Sequence, residues 1–102
     1  MQPYNLSATA ENDLMEIARY TLNNWGKEAL KRYRIGLKNT FLNIAKNEIP
    51  KRTFSTTFPD LFVSKYKYHY IFYIAKNRIT PVIIGVIHEK RDIVSQLNER
   101  LG

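Results

Sequence analysis

The stretch Leu61–Asp92, LFVSKYKYHYIFYIAKNRITPVIIGVIHEKRD, decides the fold. Two runs inside it, Tyr68–Ala75 and Pro81–Glu89, are dense in Tyr, Phe, Ile and Val. Aromatic and β-branched side chains suit a pleated, half-buried surface. The polar residues Lys76–Thr80 separate the runs and can turn the chain, so the two runs predict a β-hairpin. The shorter run Leu61–Tyr66 precedes them and extends the hairpin to a three-stranded meander. Charge brackets the apolar strands: Lys65 and Lys67 lead in, and His88, Glu89, Lys90, Arg91 and Asp92 lead out. Polar residues just past a strand end are where function tends to sit.

Working outward, the segment before the meander reads as helix. Pro3–Ala8 is expected to form a short first strand with Tyr4 and Leu6 on one face. Thr9 is placed as an N-cap, followed by Glu11 and Asp13, where carboxylates suit the helix dipole. Leu14, Ile17, Ala18, Thr21, Leu22 and Trp25 recur at helical spacing and form one stripe. Gly26 stands where a C-terminal cap belongs. A second helix is expected from Lys27 to Lys46, with Leu30, Tyr33, Leu37, Phe41 and Ile44 inward. Its Gly36 costs about 1 kcal/mol in a helix interior and can mark a close approach. The short connection forces the two helices into an antiparallel hairpin. Asn47–Asp60 reads as a loop, with Phe54 and Phe58 as covers over the core. After the meander, Asp92 is expected to cap a last helix, Ile93–Leu101, with Ile93, Leu97 and Leu101 inward.

The order is therefore β-α-α-β-β-β-α: an α+β fold with a helical hairpin packed on a mainly antiparallel sheet. The 102 residues fit one domain, 1–102. With no Cys, a disulfide framework and thiolate zinc sites are excluded. The opening MQPYNLSATAENDL lacks a basic region and an apolar core, so no signal peptide is expected. The longest apolar run, PVIIGVI, is strand-sized, so no membrane span or membrane partner is expected. A cytoplasmic location follows from these readings.

The formal charge is +7, from 16 Lys+Arg against 9 Asp+Glu. Residues 1–25 sum to −2, residues 26–52 to +6 and residues 53–102 to +3. The excess sits on the second helix and its exit, and favours an acidic partner. Gly residues stand apart, at 26, 36, 85 and 102, so no phosphate-binding loop is possible. The two His, at 69 and 88, lack a third ligand, and neither a metal nor another cofactor is expected.

Metal-free RNA cleavage needs a base, cations and an acid around one phosphate. Lys65, Lys67, His88 and Arg91 are the candidate set. By simple alternation His88 shares a strand face with Val82, Ile84 and Val86. The competing role for His88 is structural, as a strand-end hydrogen-bonding group that orients the next turn. Lys90, Arg91 and Arg100, supported by His88, are the candidate target-binding cations. Asp92 fixes the turn that presents the first two, and Arg100 lies about 12 Å further along the last helix.

Three segments carry a family resemblance: YNLSATAENDLMEIARYTLNNWG, TFSTTFPDLFVSKYKYHYIFY and VIIGVIHEKRD. With the element order, they resemble the ParE-type toxins of the RelE/ParE superfamily of bacterial toxin–antitoxin systems. The resemblance implies a toxin that poisons DNA gyrase, with DNA involved through the gyrase complex, and has no catalytic residues of its own. It also implies a cognate antitoxin whose disordered tail folds on the toxin. RelE-like members of the superfamily are instead ribosome-dependent mRNA endoribonucleases, the alternative function. Their first basic pair is matched by Lys65 and Lys67. Their middle-strand Arg position holds Tyr70, and no Tyr follows Tyr73. The ending His88–Asp92 resembles the ParE-like pattern.

Overall fold

A computed structural model describes residues 3–101. The elements are β1 (Asn5–Leu6), α1 (Ala8–Trp25), α2 (Lys27–Ala45), β2 (Arg52–Thr53), β3 (Leu61–Tyr66), β4 (His69–Ile74), β5 (Val82–His88) and α3 (Ile93–Leu101). The strands form one sheet in the order β1-β5-β4-β3-β2. β1 runs parallel to β5, and the other pairs are antiparallel. The fold is thus the expected α+β arrangement, with β2 added.

Two details of the first helix differ from expectation. The N-cap is Ser7, whose hydroxyl accepts the Ala10 N–H at 3.1 Å. Thr9 instead donates to the Ile84 carbonyl at 3.2 Å, across to the sheet. Gly26 alone separates α1 from α2. Its φ of 89° and ψ of 177° suit glycine only. Its N–H closes α1 on the Leu22 carbonyl, and its own carbonyl accepts the Leu30 N–H.

The two faces of the sheet bury separate clusters. On one, Ala10 of α1 and Leu37, Phe41 and Ile44 of α2 pack on Ile71, Tyr73, Ile83 and Val86. On the other, Leu97 of α3 joins Leu61, Phe72, Ile84 and Ile87, with Phe58 alongside. Phe54 stands edge-on to Phe72 at 5.0 Å, so both loop phenylalanines do cover the core. Each fully buried side chain of this size contributes about 1.5–3 kcal/mol. The end of the α1 stripe projects past the core: Leu22 and Trp25 are exposed. Gly36 does mark a close approach, with β3: a Cβ there would overlap the Tyr66 hydroxyl and ring.

A β-bulge lies in β5. Phe72 pairs with Gly85, but Tyr73 pairs with Ile83, so Ile84 is the extra residue. A bulge inserts one residue and resets the alternation of faces. Val82 and Ile84 therefore point to the α3 face, while Val86 points to the helical hairpin. His88 shares the face of Val86 and not that of Val82 and Ile84, which corrects the simple alternation.

Candidate functional site

The last residues of β5 and the turn into α3 build the site from backbone constraints. The Lys90 N–H donates to Nδ1 of His88 at 3.1 Å, and the Arg91 N–H to the His88 carbonyl at 3.0 Å. Asp92 caps α3: its Oδ1 accepts the Ser95 N–H at 3.2 Å and its Oδ2 the Ser95 hydroxyl at 2.8 Å. The turn is thus pinned at both ends. Lys90 and Arg91 between these anchors are exposed, and neither forms an ion pair among the described residues. His88 thus accepts two backbone N–H groups of the turn, one on its ring and one on its carbonyl.

The tip of the β3–β4 hairpin is tied to this turn. The Glu89 N–H donates to the Tyr68 carbonyl at 2.9 Å. Lys65 Nζ meets Glu89 Oε2 at 2.6 Å. That hydrogen bond raises the Lys65 pKa and lowers that of Glu89. Both groups keep substantial solvent contact, so the pair fixes geometry more than it stabilises. Tyr68 itself is 62% exposed, and its ring lies nearly parallel to that of His88.

Arg100 is not an exposed cation. Its side chain is only 14% exposed, and both terminal nitrogens meet Asp13, at 2.7 and 2.9 Å. It also donates to the Ile84 carbonyl and to Gln96 Oε1. Asp13 Oδ2 in turn accepts the Val86 N–H at 2.9 Å. Beyond the two residues paired with β1, these side chains satisfy the outer edge of β5. Gly85 leaves room, since a Cβ there would meet Arg100 at 2.6 Å. With the helix capped at Ser7, Asp13 lies beyond the first turn of α1, and its carboxylate faces the sheet edge rather than the helix end.

The ribonuclease set is divided by the sheet. Lys65 stands opposite Tyr70, and Tyr70 opposite Ile87, on the α3 face. Tyr66, His69 and His88 line up across the other face. His69 meets Tyr33 of α2 through Nδ1 and the phenol oxygen, and that phenol donates to the Tyr66 carbonyl at 3.4 Å. Burial, then the neighbouring His88, lowers the His69 pKa to about 4. Burial, then Tyr66, raises that of Tyr33 to about 12. Both side chains are therefore neutral near pH 7. Among the described residues no three His, Asp or Glu groups converge as metal ligands, and no helix is long and apolar enough to cross a membrane.

A second surface lies along the helical hairpin. A groove there is floored by Leu14, Ile17, Leu30, Tyr33 and Leu37 and rimmed by Arg19, Arg34 and Lys38. Met15 opens onto it and is exposed. Sequence reasoning missed three residues that matter: Tyr68, read only as strand; Glu89, read only as charge; and Asp13, read only as helix dipole partner. The cluster Lys65–Lys67 facing His88–Asp92 was the available signal for the first two.

The family model described as ParE toxin of type II toxin-antitoxin system, parDE, matches residues 4–93. A relative named Toxin ParE, from Escherichia coli, is 33% identical over 101 residues, spanning 99% of this chain and 98% of that protein. A solved structure titled Chromosomal ParDE TA system from P. aeruginosa shares the fold with a TM-score of 0.67 at 13% identity. That match covers 83% of this chain and 95% of the other.

Proposed function

The chain belongs to the ParE family of toxins from type II toxin–antitoxin systems, and from that premise we propose that it inhibits DNA gyrase and is neutralised by a cognate antitoxin. The observation that carries the reading is the pinned turn His88–Asp92. It holds Lys90 and Arg91 exposed while their neighbours do the structural work. A cation free of folding duties is available to a target protein or its bound DNA. Arg100 has no such freedom and is left out of the proposed target surface, which keeps Lys90 and Arg91 with His88 as support. The division of Lys65 from His88 between sheet faces supports binding over RNA cleavage.

The groove along the helical hairpin suits the antitoxin. It offers an apolar floor and a cationic rim, the complement of an amphipathic acidic tail that folds on binding. A paired assay tests the reading. The purified chain should inhibit supercoiling and leave gyrase-dependent double-strand breaks, and the co-encoded antitoxin should reverse both. Inactivity on gyrase at micromolar protein, together with mRNA cut on ribosomes, would overturn it in favour of the RelE-like alternative.

A further inference from the structure

The β3–β4 tip carries a feature that neither the core nor the pinned turn requires. Tyr68 sits in a two-residue connection between Tyr66 and His69, with its ring 62% exposed. Behind it lies the imidazole of His88, the rings inclined by 18° with centroids 6.5 Å apart. His88 is itself held by the Lys90 N–H, and the Tyr68 carbonyl by the Glu89 N–H. An exposed aromatic is therefore mounted on a braced support.

The surroundings of Tyr68 are charged. Lys67 precedes it at φ 51°, a left-handed conformation that glycine or asparagine adopts at lower cost. Lys90 and Arg91 lie on the adjoining turn, exposed and without carboxylate partners among the described residues. The two carboxylates nearby are both engaged, Glu89 by Lys65 and Asp92 by Ser95. The local field is positive. A protein-binding centre is depleted of charge around its aromatic anchors, and this patch is the reverse. An aromatic face amid free cations is instead the composition that receives a stacked base and its flanking phosphates.

We propose that the two turns form a docking surface for single-stranded nucleic acid, with Tyr68 stacking one base and Lys67, Lys90 and Arg91 contacting phosphates. A duplex interior offers no open base face to Tyr68, so unpaired strand is preferred. The surface deepens the target reading, on which it rests for its setting in a complex that holds DNA.

The test uses the purified chain without gyrase, so its outcome is separate from that of the supercoiling assay. A fluorescein-labelled oligothymidylate of about 12 nucleotides is titrated by anisotropy against a blunt duplex of equal length. The single strand should bind more tightly, with affinity falling as salt rises. Tyr68→Ala should weaken binding about tenfold, while Tyr68→Phe keeps it. Lys67→Glu, an exposed change independent of Tyr68, should also weaken binding and flatten the salt dependence. Equal affinity for duplex overturns the proposal. So does undetectable binding at low salt, or unchanged affinity in a folded Tyr68→Ala or Lys67→Glu variant.

Discussion

Arg100 and Asp13, 87 residues apart in the chain, meet through two parallel hydrogen bonds at the edge of β5. The pair ties α1, β5 and α3 together. Removing one partner leaves the other charge largely buried, and Asp13→Ala also strands the Val86 N–H. Either Asp13→Ala or Arg100→Ala should lower stability by about 3 kcal/mol in urea denaturation. The double variant should fall short of the sum, with a coupling of about 1–3 kcal/mol. Additive losses would mean that the two charges act independently.

The turn at Lys90 and Arg91 should behave in the opposite way. Lys90→Glu with Arg91→Glu should abolish gyrase poisoning and shift the melting temperature little, because exposed charges contribute little to stability. A fully toxic double reversal moves the target surface elsewhere, first to the basic face of α2 around Lys31, Arg34 and Lys38.

Asp92 separates folding from targeting at the same turn. Asp92→Ala removes the α3 cap and should cost about 1 kcal/mol, measured as a lower urea midpoint at unchanged slope. Asp92→Asn retains a capping oxygen and should recover most of the loss.

Gly36 is fixed by Tyr66, whose ring leaves no space for a Cβ. Gly36→Ala should therefore destabilise by about 1–3 kcal/mol despite the better helix propensity of alanine. In a Tyr66→Ala background the clash is gone. There the same change should stabilise by up to about 1 kcal/mol. Equal effects in both backgrounds would separate Gly36 from Tyr66.

His69 makes stability depend on pH. Its pKa is about 4 in the fold against an ordinary 6.5. Above the upper value both states are neutral and nothing changes. Between the two, the unfolded chain takes up a proton that the folded state refuses, so stability falls as pH falls. Allowing for partial solvent exposure, the loss is on the order of 1–2 kcal/mol. His69→Gln should flatten the curve between about pH 7 and pH 5 relative to wild type. Parallel curves for the two proteins would assign the dependence to other groups.

Much of this fold is legible because the signals are local. β3 and α3 have their sequence-derived bounds, and the hairpin strands differ by a residue or two at their ends. Apolar runs and a capping aspartate announce themselves without reference to distant residues. β2 is silent because Arg52 and Thr53 are two exposed polar residues, recruited only by pairing with Val63 and Phe62. The bulge at Ile84 is silent for a related reason: an unbroken apolar run looks the same with or without it. Of the site, the exposed cations at Lys90 and Arg91 and the support from His88 could be read from the strand ending. The fate of Arg100 could not. Whether an arginine on a short helix faces solvent or a carboxylate depends on a partner 87 residues earlier.

The parallel pairing of β1 with β5 has a consequence for how the molecule comes into being. Asn5 must wait for Val82 and Asp13 for Arg100. Contacts of such long separation are slow to form, and the edge of β5 stays open until they do. During synthesis the helical hairpin and the β3–β4 pair can assemble early, while β5 remains unsealed until residue 100 has been made. A nascent chain is in that interval a sticky intermediate rather than a finished toxin.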